Sequence, residues 1–497
     1  MPRRSWWLTI LALFLPFSVN ALTGAVFHDK NSNQIRDAGE PGIPNVAVSN
    51  GRDVVLTNSE GVFDIPTPPR KEGFVFVIKP RDWNVPANEL QLPKFHRRRF
   101  EKLDFPLSQR SEPDAFNVLV TADPQVNNEQ EIDYYDKAIA APLSRTKNKP
   151  AFGVTLGDIV NDQFDLFDKI NVATAKIGIP FYNLNGNHDV DLTTDPQKAV
   201  TAFESVYGPA TYAFHYAKVL FIALDDIRPL GPGKYVGGLT DDQLTFIENL
   251  LRVAPADARV VLMAHIPFFN TDGPNSDTFR AIDRARLFKL LAHRKNVLLL
   301  TGHTHAQQHW FHGPEKWHEY NVAAACGSFW SGPPGKDGVP PAIMWDGTPP
   351  GYAVVSFQGA ERYHAVYYPS LLDFEANQIG IHAPLAIKAG EPWVSFYANV
   401  YNGHDGWKIE YRIDDSPWRP LRRVQGSWDP AYAAKFVAQN AVSTPAPWRR
   451  FPDPVVCNHL WRGYFPIDLT PGNHTLTIRA ADPDGRVYEA DQKLTVH

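Results

Sequence analysis

The chain has 497 residues, 43% apolar and 21% charged, a balance that excludes a disordered or fibrous protein and suggests about three domains. Its 43 prolines and 33 glycines point to many turns and much β or irregular structure. The formal net charge is −5 and the densest basic run, "HRRRF" at His96–Phe100, is short and reads as a solvated linker, so no nucleic-acid partner is expected.

The first 21 residues read as a cleaved targeting segment. "MPRRS" gives a positive start, "WWLTILALFLPF" an apolar stretch too short to span a bilayer comfortably, and "SVNA" a small residue for cleavage after Ala21. Later apolar runs fall short of spanning length, so stable membrane insertion is not expected. The expected location is periplasmic or secreted. Cys326 and Cys457 lack the spacing of a disulfide framework or a metal pair, which leaves one bridge or two separate buried thiols open.

Residues 22–108 read as a small β domain, because "GAVFHD", "NVAVSN", "DVVLTN", "GVFDIP" and "FVFVIK" are strand-like runs parted by turn residues. Within it, "DKNSNQIRDAGE" places Asp29, Asn31, Asn33, Asp37 and Glu40 at positions 1, 3, 5, 9 and 12 of a calcium-loop pattern. The segment resembles the calcium loop of certain bacterial surface β-sandwich repeats, although Gln34 stands where glycine is usual. Calcium and a polar turn both remain open. "RRRFEKLDFPLSQRSEPDAF" then reads as a polar linker.

From 113 to 370 strand-like and helix-like runs alternate, which predicts a layered α/β domain. Helices are expected near Glu129–Ala140, Asp165–Ala175, Thr240–Val253 and Arg280–Ala292. From 378 to 497 strand-like runs return, as in "WVSFYANV" and "HTLTIRAAD", and suggest a second small β-sandwich of the immunoglobulin type.

The chemistry-bearing residues sit at the C-terminal ends of the α/β strands, where ligands bind in open α/β sheets. They are Asp123 and Gln125 after "VLVTA"; Asp158, Asn161 and Asp162 in "GDIVND"; Asn187, His188 and Asp189 in "GNHD"; Asp225 and Asp226 in "ALDD"; His265 in "MAHIP"; and His303 and His305 in "GHTH". Each motif alone has a bland reading as a turn or a core histidine. Together, imidazoles, amides and carboxylates suit borderline divalent metals, and so many donors fit two ions rather than one.

The order of these motifs over Phe116–Phe357 resembles the calcineurin-like metallophosphoesterase superfamily, in an exported bacterial form with β domains at both ends. The resemblance implies a four-layer β-sandwich flanked by helices, with a small immunoglobulin- or prealbumin-like domain at each end. It implies two divalent metals: Asp123, Gln125 and His305 around one, Asn187, His265 and His303 around the other, and Asp158 bridging. A metal-bound hydroxide would attack phosphorus. His188 would assist the leaving group, Asp189 would orient its imidazole, and Asp162 would stand behind the site. Gln125 departs from the family's Asp-x-His motif, and its harder oxygen donor favours Mn or Fe over Zn. Phe268 and Trp330, with Phe269 and Trp345, could line a pocket for a base or sugar or could be packing residues. The implied substrate is a small-molecule or envelope phosphoester, leaning to a diester or nucleotide. The competing reading is a cell-surface binding or adhesion protein whose central domain is weakly active or inactive.

Overall fold

The computed structural model describes residues 21–269, 278–335, 337–442 and 446–497. The expected targeting segment, apart from Ala21, lies outside them. Ala21 opens the strand Ala21–His28, which pairs antiparallel with Val62–Pro66 and parallel with Asp104–Gln109. A second sheet, of Val54–Leu56, Ala47–Ser49, Phe74–Val77 and His96–Arg98, packs against the first.

The stretch read as a linker is therefore corrected: it carries the strands His96–Arg98 and Asp104–Gln109. Leu103, Phe105 and Leu107 alternate along it and are buried, a period of two that the flanking charges and Pro106 obscure. Glu112, equally polar in sequence, is buried beside Lys79 at 2.5 Å and accepts the Ala217 backbone N–H at 2.8 Å. These contacts join the N-terminal unit to the central one. The apolar core is continuous between them, with Phe95 against Tyr212 and Phe76 against Phe246.

The central unit stacks two sheets. One runs in the order Phe181–Leu184, Phe152–Leu156, Ala115–Thr121, Gly351–Gln358 and Arg362–Pro369. The other runs Tyr212–Tyr216, Val219–Ala223, Arg259–Met263, Val297–Thr301, Trp317–Asn321 and Gln308–His312. Their parallel strands are fully buried apolar runs, as expected of sheets covered on both faces. Phe152 meets Phe214 and Phe221 between the sheets, and Tyr182 stacks on Phe214 with ring centroids 3.9 Å apart.

Crossover helices follow the parallel strands. Glu129–Tyr135 continues through a π-helical turn, Asp136–Ala140, and the others are Phe167–Ala175, Asp241–Val253 and Ala281–Leu291. The start of Asp241–Val253 is a capping box: Thr240 accepts from the Gln243 backbone while the Gln243 side chain accepts from Thr240. The result is a mixed α/β fold with many sheets and few helices. Among the described residues no helix is long and apolar enough to cross a membrane.

The C-terminal unit packs two further sheets around its own core of Phe396, Tyr411, Trp461, Leu476, Ile478 and Leu494. It also carries the helix Pro430–Asn440.

Candidate metal centre

The strand ends converge because the chain turns sharply after each one. Asp123, Gln125, Asp158, His303 and His305 all have φ between 43° and 73°, the left-handed region that side chains normally avoid. Each such residue costs about 1–3 kcal/mol, which surrounding contacts must offset. Backbone bonds lock the turns together: the Asp123 N–H donates to the Gly157 carbonyl at 3.1 Å, and the Gln125 N–H to the Asp158 carbonyl at 2.8 Å. Two glycines leave room for the donors. A Cβ on Gly186 would lie 2.1 Å from Asp158 Oδ1, and one on Gly302 2.8 Å from Asp123 Oδ2.

Two histidines are aimed by carbonyls. His265 Nδ1 donates to the Leu156 carbonyl at 2.8 Å, and His305 Nδ1 donates to the Gly327 carbonyl. Both Nε2 atoms are left facing the carboxylates, the arrangement by which outer partners orient metal-binding imidazoles. His265 Nε2 lies 3.3 Å from Asp158 Oδ2, 3.2 Å from Asn187 Oδ1 and 3.2 Å from His303 Nδ1. His305 Nε2 lies 3.7 Å from Asp123 Oδ1. The His303 backbone N–H donates to Asp123 Oδ2 at 3.0 Å.

The cluster is starved of positive charge. Asp123 is fully buried, and burial, with the nearby Asp158 charge, pushes its carboxyl up to about 7. Burial alone would raise Asp158 too, but the charge and hydrogen bond of His265 hold it low. His265 is raised to about 10 against its burial, chiefly by Asp158, so one imidazolium serves as the cluster's counter-ion. His303 is pushed down to about 3, by burial first and then by His265. Two imidazole nitrogens 3.2 Å apart, against buried carboxylates, are better matched by cations than by one shared proton. Asp158, His265 and His303 present ligand atoms all within 4.8 Å of one another, a set able to hold an ion. The donors therefore fit divalent metals.

Gln125 joins the cluster through its amide nitrogen, 3.4 Å from both Asp158 Oδ2 and Asn161 Oδ1, while its Oε1 faces the Cys326 thiol at 3.9 Å. Direct ligation through oxygen would need the amide to turn over.

The roles expected for two acids are corrected. Asp189 does not reach the His188 imidazole. Its buried carboxylate accepts backbone N–H groups from Ile159, Val160 and Gly186 at 3.0, 3.0 and 2.9 Å. Asp162 lies beside the imidazole instead, with Oδ1 3.1 Å from His188 Nδ1, out of line for a hydrogen bond. Both side chains face solvent, with exposures of 32% and 60% for His188 and Asp162.

The aromatic expectations are corrected as well. Phe268 is fully buried against Phe279 and Phe288, a core position rather than a pocket wall. Trp330 is also buried, and its indole N–H donates to the Pro124 carbonyl at 3.1 Å, beneath the Asp-x-Gln turn. The cysteines are both buried and free, so the two-thiol alternative describes them.

The Asp29–Glu40 loop folds inward. Asp37 Oδ2 accepts from the Asn31 and Asn33 amides at 2.8 Å each, and Glu40 from the Lys30 and Asp37 backbones. Gln34, at the usual glycine position, has φ 63°.

Sequence reasoning missed Tyr235, whose ring stands edge-on to His303 at 6.2 Å, and Phe329, 4.4 Å from His305 between ring centroids. Tyr235 lies in no motif with recognisable chemistry, whereas Phe329 stands beside Trp330 in the run Ala324–Pro334, where the tryptophan drew the reading. Asp226, noted as a strand-end acid, accepts the backbone N–H groups of His265 and Ile266 and fixes the strand end.

Two family models match: the N terminal of calcineurin-like phosphoesterase over residues 29–109 and the C terminal of calcineurin-like phosphoesterase over residues 319–488, together about half of the chain. The chain belongs to the calcineurin-like phosphoesterase family.

A probable cyclic nucleotide phosphodiesterase of Rhodopseudomonas palustris is 27% identical over 171 residues, 34% of this chain and 61% of the relative. A probable glycerophosphodiester phosphodiesterase of Arcobacter nitrofigilis is 30% identical over 177 residues, 33% of this chain and 59% of the relative. The chain thus spans about three fifths of the length of these curated relatives. Among solved structures, a dimetal phosphatase from Danio rerio aligns with a TM-score of 0.36 at 13% identity, over 52% of this chain and 98% of that one.

Proposed function

We propose that the chain is an exported phosphoesterase that holds two divalent metal ions and hydrolyses a small-molecule or envelope phosphoester, a diester or nucleotide-like one first. Asp123, Gln125 and His305 would hold one ion, Asn187, His265 and His303 the other, and Asp158 both. Bound there, the ions would supply positive charge to the phosphoryl oxygens and make water acidic enough to furnish the nucleophile near neutral pH.

The chain's own residues do the rest. His188, half-exposed at the edge of the cluster, hydrogen-bonds a phosphoryl oxygen and passes a proton to the departing alkoxide. Asp162, beside Nδ1, stabilises the imidazolium that delivers it. Asp189 keeps the Gly186–His188 turn in place through its three backbone bonds. Buried Asp226 and the carbonyls of Leu156 and Gly327 keep His265 and His305 pointed inward.

The observation that carries the reading is the convergence of donors from separate strand ends, with two imidazoles pre-aimed by carbonyls. The phosphodiesterase names of both curated relatives support a diester. The amide at Gln125 supports Mn or Fe over Zn. Calcium in the Asp29–Glu40 loop, and immunoglobulin- or prealbumin-like accessory roles for the terminal β units, complete the proposal.

Hydrolysis of a chromogenic phosphodiester and the matching monoester by the manganese-loaded full chain tests it. The diester should be cleaved faster, and Asp158→Asn should lower the rate by roughly 100-fold or more, as loss of a metal-holding carboxylate does. Equal rates for the two proteins would favour the binding-module reading.

A further inference from the structure

We propose that the C-terminal β unit is a working part of the metal centre, with Arg449 as a positioning residue that acts on His305 through Phe329. The inference rests on the metal-site reading above.

The turn Gly327–Trp330 is the link. Its Gly327 carbonyl receives the His305 Nδ1 proton, and its Trp330 indole donates to the carbonyl of Pro124, the residue between Asp123 and Gln125. One short turn therefore braces the donors assigned to one ion. The turn is under strain: Phe329 has φ 59° and Trp330 φ 53°, both outside the range that such bulky side chains prefer. Gly327 has φ 56°, and a Cβ there would meet the Ala342 carbonyl oxygen at 1.6 Å, so only glycine fits. A strained turn keeps its shape only while contacts outside it hold it.

Central-unit residues supply some of those contacts, as where the Ser328 N–H donates to the Ala342 carbonyl, and the C-terminal unit supplies the rest. The Arg449 guanidinium donates to the Phe329 carbonyl at 3.2 Å and lies 4.8 Å over the Phe329 ring. That ring lies against His305. The order guanidinium, phenyl, imidazole runs from the C-terminal unit to a ligand candidate in three side chains. The Arg449 carbonyl also accepts the Gly332 N–H at 2.8 Å. A second tie is independent of the first. Buried His459 donates to Asp346 at 3.0 Å, and Asp346 accepts the backbone N–H of Gln307, two residues past His305, at 2.8 Å.

Arg449 itself is exposed and has no carboxylate within ion-pair distance among the described residues. Because Arg449 is exposed, its removal opens no cavity in the core, and the Phe329 carbonyl is the group that loses a donor. What it removes is a cation stacked on Phe329 and a charge-assisted hydrogen bond to the strained backbone.

The test uses the full chain as wild type, Arg449→Ala and Arg449→Lys. Manganese(II) is titrated by calorimetry, and steady-state kinetics follow on a chromogenic diester. The expected result is about tenfold weaker binding of one of the two ions in Arg449→Ala, the size of one charge-assisted contact. kcat should fall by a similar factor with KM unchanged. Lysine should restore part of both, since it can donate to the carbonyl but cannot stack as a plane. Unchanged metal affinity and kcat in Arg449→Ala would overturn the proposal, whatever happens to the melting temperature. A rise in KM alone would also overturn it, and would make Arg449 a substrate contact. A wild type that binds two ions but cleaves no phosphoester overturns the functional reading and leaves the calorimetric prediction in force.

Discussion

Asp162 and Asp189 flank the same histidine in different ways, and a pair of substitutions separates them. Asp189 Oδ2 takes N–H bonds from Ile159 and Gly186, and Oδ1 takes one from Val160. In Asp189→Asn the amide oxygen can keep the first two, but its NH2 group then faces the Val160 N–H. A charge-assisted bond worth about 1.5–3 kcal/mol is lost, and a buried donor left unpaired costs about 1–3 kcal/mol more. The sum is roughly 2.5–6 kcal/mol of stability. Asp162 is largely exposed, so Asp162→Asn removes a contact worth about 1 kcal/mol or less. If that contact strengthens as the imidazolium forms, kcat falls roughly fivefold. Urea unfolding of both variants, read beside kcat on one diester, measures the two effects. A stable Asp189→Asn with a large loss of kcat would refute this assignment and return the orienting role to Asp189.

Gly186→Ala should weaken metal binding and hydrolysis by roughly 100-fold, because its Cβ would displace both the carboxylate and the backbone of Asp158; metal analysis after dialysis, beside a melting curve, checks it. Phe268→Ala should lower stability by about 3–5 kcal/mol while KM stays within twofold, the signature of a core ring and not of a substrate wall. His96 is held neutral down to about pH 3, by burial first and then by Lys94, Arg97 and Arg98. Its folded pKa lies below its unfolded value, so the stability it contributes is complete above pH 6.5 and is lost as pH falls from there toward 3. Unfolding midpoints at pH 7 and pH 5 should show about 1–2 kcal/mol of that loss, and His96→Gln should flatten it. Thiol titration should find two free thiols in the unfolded chain without reductant, and reductant should leave the melting temperature unchanged.

Much of the central unit was legible because its signals are local. Thr240 and Gln243 announce a capped helix by spacing alone, and Val219–Ala223, Arg259–Met263 and Val297–Thr301 read as buried strands by unbroken apolar runs. The strand Trp317–Asn321 was missed because its buried residues include His318, Glu319 and Asn321, whose partners come from elsewhere in the chain. Asp104–Gln109 was masked by charges and a proline. The helix Thr201–Tyr207 follows a run of turn residues and lacks a side-chain cap.

At the centre, sequence order named the donors but could not assign partners among them. Asp189 adjoins His188 in the chain, yet its carboxylate turns back toward the preceding strand end, and Asp162, from a different loop, meets the imidazole. Phe268 follows His265 by three residues but points into the core. The contribution of Arg449 was out of reach, because it depends on a contact across 120 residues of chain.

On the proposed function, one chain binds two coupled divalent ions among these strand ends. Electron paramagnetic resonance of the manganese-loaded full chain, with metal counted per chain, tests it most directly. Two ions per chain are expected, with a spin-coupled spectrum that collapses to uncoupled or absent manganese in Asp158→Asn. One isolated ion, or a spectrum indifferent to that substitution, would contradict it.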